Sequence, residues 1–280
     1  MLVLAAIPLG NPKDASRNLG EAIAAAKFIA AEDSRKFSRL CSDLNVKHSA
    51  KVISFFEGNE TERIGELLEI LTSGADLLVV TDAGMPGISD PGYRLVRAAI
   101  DANIQVKVLP GPSAVTTALV LSGLPCDRFC FEGFPPRTSG TRQAWFEALA
   151  QETRTIIFFE APHRLLESLA DAQVILGANR RAAICREMTK TYEEIIRGNL
   201  SELHNWAATN EILGEITMVI AGYDQSTKTF ETSDLIAEVL KQESAGISRK
   251  DAIAEVARAS GISKRTVFDA MVTHKSGDKI

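Results

Sequence analysis

Leu77-Leu78-Val79-Val80-Thr81 is an apolar run that ends in Asp82-Ala83-Gly84-Met85-Pro86-Gly87-Ile88-Ser89-Asp90-Pro91-Gly92. Strand-forming residues without polar alternation suit a strand buried on both faces, as in parallel sheets. The eleven residues behind it hold three Gly and two Pro, with an Asp at each shoulder. They continue neither a strand nor a helix. They form a rigid loop at the carboxyl end of a strand, where open α/β sheets bind ligands. Gly lets a ligand approach the backbone, and Pro removes entropy from the free loop.

Similar runs stand on either side. Leu2–Ile7, Lys27–Ala31, Val52–Phe55 and Gln105–Leu109 read as strands, while Asp14–Ala26, Glu60–Thr72 and Gly92–Ala102 carry apolar residues at the three-to-four spacing of helices. This alternation predicts an α/β fold with a mostly parallel five-stranded sheet. Leu109-Pro110-Gly111-Pro112 breaks any element, and Ser113 is a good N-cap for a helix over Ala114–Leu121, so a boundary is expected at 112. A second α/β set follows, with strands Arg128–Glu132, Thr155–Glu160, Ala182–Glu187 and Glu215–Ala221 and helices Thr141–Ala150 and His163–Leu176. Gln225–Thr232 is polar and suits a linker. Beyond it lie three helical patterns, Ser233–Gln242, Ser248–Ser260 and Ser263–His274, the last two joined by Gly261-Ile262 at helix-turn-helix spacing. The expected organisation is two α/β lobes, 1–112 and 113–224, around a cleft, and a small helical domain over 232–280.

A length of 280 residues exceeds the roughly 250 at which one core usually stops growing, in keeping with several domains. With 45% hydrophobic and 24% charged residues and no biased tract, disorder, collagen and coiled coil are excluded. Nothing approaches the roughly 18 apolar residues of a membrane span, and Met1-Leu2-Val3 lacks the basic start of a signal peptide, so a cytoplasmic protein is expected. Cys41, Cys126, Cys130 and Cys185 are scattered without a second pair or a nearby His to complete a zinc site; reduced structural thiols and no metal are expected. The net charge of −5 argues against broad adhesion to a polyanion. It is unevenly spread, however: 12 basic against 14 acidic residues in 1–112, 10 against 14 in 113–227, 9 against 8 in 228–280, and 7 against 4 within Ser248–Lys279. A local basic surface is therefore compatible with the total.

Two more Gly/Pro loops, Ile7-Pro8-Leu9-Gly10-Asn11-Pro12 and Pro110-Gly111-Pro112-Ser113-Ala114, follow the first and fifth strands. In a parallel sheet all three loops open on one edge, which predicts a small-ligand cleft there. None matches the dinucleotide fingerprint, the P-loop or the nucleophile elbow, against nucleotide hydrolysis and serine-hydrolase chemistry. In the second half, Phe131-Glu132-Gly133-Phe134, Glu160-Ala161-Pro162-His163-Arg164 and Arg186-Glu187-Met188-Thr189-Lys190 bring charge to points where strands meet turns. They are candidates for the same cleft; the competing reading is a set of solvated caps and ion pairs. His163, without a partner at metal-ligand spacing, reads as a cap or a phosphate contact.

These phrases, together with Ala31-Glu32-Asp33-Ser34-Arg35 and in this order, resemble the tetrapyrrole methylase superfamily over most of the chain, and within it the branch that acts on RNA. The resemblance implies a two-lobed fold that binds S-adenosylmethionine between its lobes, usually as a homodimer. It implies 2′-O-methylation of a cytidine ribose in the decoding region of 16S ribosomal RNA, the small ribosomal subunit being the partner. It also implies a cofactor site at Pro8, Leu9, Gly10, Asp82, Gly84, Met85, Pro86, Ile88, Ser113 and Ala114, contacted largely through backbone. Met85, Ala161 and Pro12 depart from the residues commonest in that branch but leave the loop backbone unchanged. Two alternatives are a tetrapyrrole methyltransferase acting on a precorrin or uroporphyrinogen, and a DNA-binding regulator built on Ser248–His274. The second is weak, since helix pairs at this spacing are common in plain bundles.

Methyl transfer to a ribose hydroxyl is an in-line displacement in which a group must accept the hydroxyl proton while water is kept out. Glu160 and Lys190 are the first candidates, with Glu132 behind them. As a base Lys190 needs a depressed pKa; otherwise it gives electrostatic support. Arg137, Arg142, Arg164 and Arg186 are candidate phosphate contacts, Pro135–Gly140 is a candidate flap, and the helical tail is expected to dock on RNA or on a dimer partner.

Overall fold

The computed structural model describes residues 1–224, 232–260 and 262–277; the expected linker Gln225–Thr232, apart from Thr232, and Gly261 lie outside the described residues. The chain divides into two compact units, Met1–Gly222 and Tyr223–Ile280.

In the first unit, β1 (Leu2–Ala5), β2 (Phe28–Ala31), β3 (Lys51–Ser54), β4 (Leu77–Val80) and β5 (Val106–Leu109) form a parallel sheet in the order β3-β2-β4-β1-β5. Helices α1 (Arg17–Ala25), α2 (Ser34–Asp43), α3 (Glu60–Thr72) and α4 (Tyr93–Asp101) cover both faces. This explains the unbroken apolar run of β4. Leu77 and Val79 pack with Leu67 of α3 and Leu95 of α4, whereas Leu78 and Val80 pack with Ile23 of α1 and Phe37 of α2. Each such buried side chain stabilises the fold by roughly 1.5–3 kcal/mol. The sequence reading had no element at α2, although Phe37, Leu40, Cys41 and Leu44 recur at helical spacing.

The second sheet joins β6 (Phe129–Phe131), β7 (Thr155–Glu160), β8 (Arg181–Arg186), β9 (Glu194–Asn199) and β10 (Ile216–Ile220) in the order β6-β7-β10-β8-β9. It is mixed, with only β6 and β7 parallel. Helix α5 (Ala114–Ser122) packs on Ile157, Cys185 and Val219 of one face. Helices α6 (Ser139–Leu149), α7 (Leu165–Leu176) and α8 (Leu200–Thr209) pack on Ile156, Phe158, Ile184 and Met218 of the other. Strand β9 and helix α8 are additions to the expected set; β9 is a half-buried edge, and α8 opens with a capping box between Asn199 and Glu202. Antiparallel register sets Ile216 of β10 between Glu160 of β7 and Arg186 of β8.

Cys41, Cys130 and Cys185 are buried and Cys126 is exposed, all as free thiols. Burial pushes the Cys185 thiol up to about 12, which makes it inert packing. Among the described residues no group of three or more His, Cys, Asp or Glu is arranged to hold a metal, and no helix is long and apolar enough to cross a membrane. The second unit contains α9 (Thr232–Ser244), α10 (Arg249–Ser260) and α11 (Lys264–Gly277), packed on a core that includes Leu235, Val239, Ile253, Val256, Val267 and Met271.

Candidate active site

A cavity of about 400 Å³, within the range of small-ligand sites, lies at the carboxyl edge of the first sheet. Leu9 enters it from the loop after β1, Asp82 to Met85 and Ile88 to Asp90 from the loop after β4, and Ser113 to Val115 from the start of α5. The second sheet supplies Phe134, Phe159 to Pro162 and Gly214 to Thr217. The β4 loop is held from several directions. Ile7 and Gly84 exchange backbone hydrogen bonds of 2.8 and 3.2 Å, Gly87 N–H donates to the Pro91 carbonyl at 3.1 Å, and Gly92 N–H donates to the carboxylate of buried Glu60 at 3.0 Å. Gly84 has φ of 70°, a region unfavourable to any β-branched residue, and a Cβ there would stand 3.4 Å from Leu9 Cδ2. Gly10 is required for a different reason: a Cβ would run into the stem of Lys190. Beside it Asn11 N–H donates to Thr189 Oγ1 at 3.3 Å, tying the first loop of one sheet to the β8 end of the other. Ser113 occupies the N-cap position of α5, but its hydroxyl makes no capping bond and lines the cavity instead.

Carboxylates dominate the electrostatics. Asp82 accepts from Asp33 N–H at 3.1 Å and from Lys36 Nζ at 2.8 Å, and its own N–H donates to Glu32 at 3.1 Å. Burial, followed by the Asp82 charge, raises the Glu32 pKa against the help of that Asp82 N–H. The hydrogen bond to Asp82 raises that of Lys36. Asp90 stands on the same wall. Its carboxyl accepts no hydrogen bond among the described residues, and burial, then the charges of Glu32, Asp82 and Glu215, pushes it up to about 7, with Lys36 opposing.

Of the ten residues expected at a cofactor site, Leu9, Asp82, Gly84, Met85, Ile88, Ser113 and Ala114 line the cavity. Pro8, Gly10 and Pro86 lie in its loops without lining it. The three candidate bases fare differently. Glu160 touches the cavity but is 2% exposed, and its carboxylate accepts from Ala161 N–H at 2.8 Å, from Arg164 Nε at 2.7 Å and Nη2, and from the Ser168 hydroxyl. Its place in β7 shares the parity of Ile156 and Phe158, so it faces α7, and both its oxygens accept hydrogen bonds. Lys190 donates to Glu187 at 2.7 Å and to Glu215 at 2.9 Å; burial works downward, but these bonds outweigh it and the pKa is raised. Lys190 is therefore a fixed cation, which suits the electrostatic support expected of it in the absence of a depressed pKa. Glu132 does not line the cavity and sits beside the Cys130 thiol, which burial and then the Glu132 charge push up to about 11.

The candidate phosphate contacts are mostly committed within the fold. Arg142 is 1% exposed and bonds Asp171 at 2.7 Å, Arg164 is held by Glu160, and Arg186 pairs with Glu194 at 2.7 Å. Arg137 is exposed. The expected flap is anchored as well, since Ser139 Oγ donates to Asp171 at 2.9 Å and Arg142 reaches the Arg137 carbonyl at 3.3 Å. The residues missed by sequence reading include Lys36, in the first turn of α2, and Glu215, ahead of β10. In the sequence Asp90 reads only as the shoulder of a loop. Nothing local distinguishes it from Asp82, because its lack of a partner is a tertiary property.

The model of the family described as Tetrapyrrole (Corrin/Porphyrin) Methylases matches residues 1–204. A protein of Mycobacterium tuberculosis called Ribosomal RNA small subunit methyltransferase I is 52% identical, over 97% of this chain and 94% of its own. One of the same name from Halalkalibacterium halodurans is 38% identical, over 96% and 93%. Among solved structures, a uroporphyrin-III C-methyltransferase from Thermus thermophilus complexed with S-adenosyl homocysteine has a TM-score of 0.54 at 15% identity, over 79% of this chain and 96% of that one. At that identity the likeness concerns the fold, and the two-sheet α/β architecture expected from the sequence is the one it shares.

Proposed function

The chain belongs to the tetrapyrrole (corrin/porphyrin) methylase family, and on that premise we propose that it methylates the 2′-hydroxyl of a cytidine ribose in the decoding region of 16S ribosomal RNA, using S-adenosylmethionine. The names of relatives 38% and 52% identical over nearly the whole chain support ribosomal RNA over a tetrapyrrole as the acceptor. Such a substrate implies a cytoplasmic reaction. The cavity fits the cofactor. Leu9, Met85, Ile88 and Phe159 suit a purine and a thioether, while the Asp82 carboxylate suits a molecule that carries cationic centres. Leu9, Gly84, Met85, Ile88, Ser113 and Ala114 would hold it, and when bound it supplies a methyl group on a sulfonium.

The observation that carries the mechanism is the unpartnered carboxyl of Asp90 on the cavity wall. An attacking hydroxyl must give up its proton, and a base is most effective when its pKa lies near the working pH. Asp90 receives that proton and releases it to water after transfer. Glu160 and Lys190 instead position: Glu160 fixes Arg164 at the start of α7, and Lys190 joins Glu187 to Glu215 at the cavity edge. Phe134, 54% exposed and tilted 61° to Phe159 at 5.5 Å, offers a stacking face for a splayed base.

The reading is tested with labelled cofactor and three acceptors: small ribosomal subunits, free 16S RNA and uroporphyrinogen. Label on a cytidine ribose of the subunit RNA is expected; label on the tetrapyrrole alone, or on a base, refutes it. The homodimer implied by the family resemblance is checked by light scattering, with a mass twice that of one chain expected.

A further inference from the structure

Helices α10 and α11 of the second unit enclose a groove of about 650 Å³. Arg249, Lys250, Lys264 and Arg265 line it against one carboxylate, Asp251, which is turned toward the Ser248 hydroxyl at 2.6 Å. Arg249 is paired with Glu243, and Arg265 lies 3.9 Å from Asp269. Lys250 and Lys264 are exposed and have no carboxylate partner among the described residues. Phe268 stands one turn beyond Lys264 and is 53% exposed. Its neighbours Val267 and Met271 already fill the core of the unit, so packing does not account for an aromatic ring on this face.

Helix stability does not account for the charges. Each pair of cations occupies the first turn of its helix, where the backbone dipole favours anions. Concentrated positive charge around an exposed ring is the chemistry that binds a single nucleic-acid strand, with phosphates on the cations and a base on the ring. In the first unit three of the candidate phosphate contacts, Arg142, Arg164 and Arg186, are held in internal pairs. We propose that the α10–α11 groove is a second RNA site, which holds a single-stranded segment of the substrate through Lys250 and Lys264 and stacks a base on Phe268. This rests on the reading of the chain as an RNA methyltransferase.

The test uses the full chain, a labelled single-stranded RNA oligonucleotide and a duplex DNA of equal length, with anisotropy measured across a salt series. Each phosphate contact to a single strand contributes about 0.7 to the slope of log affinity against log salt, so Lys250→Gln with Lys264→Gln should reduce the slope by about 1.4 and weaken binding about 25-fold at 0.1 M salt. Phe268→Ala should weaken binding about fivefold or more with the slope unchanged. Cofactor affinity, by calorimetry, should stay at the parent value in both variants. An unchanged slope in the double variant, or equal binding of duplex DNA, overturns the groove as an RNA site. Methylation of small subunits is followed in parallel: a parent chain that methylates no RNA defeats the functional reading, whereas an active parent and a double variant with unchanged KM for subunits defeats only the groove.

Discussion

Replacing Asp90 by Asn removes a proton acceptor while preserving shape, and two consequences of opposite sign follow. The carboxyl acts as a base only when ionised, so the parent rate should rise with pH and level off above about 7. At pH 5.5 it should be roughly 30-fold below the plateau, because that pH lies about 1.5 below the group's pKa. Asp90→Asn should lower the plateau by about 100-fold to 10,000-fold, the usual contribution of a positioned base, and should abolish the limb. Stability should move the other way. The folded-state value of about 7 exceeds the ordinary 3.8, so the folded chain holds this proton more tightly. The associated stability is full below 3.8 and is lost as pH rises through 7. At about 1.4 kcal/mol per tenfold change in proton affinity the upper bound is about 4 kcal/mol, which partial exposure to water reduces to roughly 1–2 kcal/mol. Asp90→Asn should therefore melt higher than the parent at pH 8 and nearly with it at pH 4. Single-turnover methylation from pH 5.5 to 9, calorimetric titration of the cofactor and thermal melts at two pH values make the comparison. A limb that survives in Asp90→Asn refutes the assignment, and so does a variant whose whole defect is lost cofactor affinity.

Three other substitutions separate the remaining roles. Glu160→Gln should destabilise by about 2–4 kcal/mol, because it leaves the Arg164 guanidinium facing a neutral amide, yet the pH limb should stay near 7; urea melts and the rate profile check it. Arg142→Ala should cost about 3–5 kcal/mol through the stranded charge of Asp171, whereas Arg142→Met with Asp171→Leu should recover much of that in the same melts. Gly84→Val should cost about 1–3 kcal/mol by forcing a β-branched residue to φ of 70°, with a loss of cofactor affinity measurable by calorimetry.

The loops that build the cavity were legible because their chemistry is local. Gly and Pro announce turns wherever they stand, and the period of apolar residues gives strands and helices without knowledge of the partner. Helix α2 carries the same signal in Phe37, Leu40, Cys41 and Leu44, within the twenty residues between the strands expected at 27–31 and 52–55. The edge strand β9 was harder: half-buried on a mixed sheet, its residues Glu194 to Asn199 have no clean alternation. The partners of Glu160 and Lys190 were not legible for another reason. Charge at a strand end says that a carboxylate or an ammonium is near the site, but not which donors fill it.

Sequence by itself thus determined the α/β class and the three Gly/Pro loops, since these follow from backbone constraints and hydrophobic period, while the family resemblance implied seven of the residues that line the cavity. Only the tertiary structure decided which charges are available. Arg142 and Asp171 lie 29 residues apart and satisfy one another, as do Lys190 and Glu215 at 25. Asp90 meets Glu32, Asp82 and Glu215 as like charges and finds no donor. The proton affinity of an acid is set by what surrounds it in space, and that arrangement exists only once both sheets have closed on the cavity.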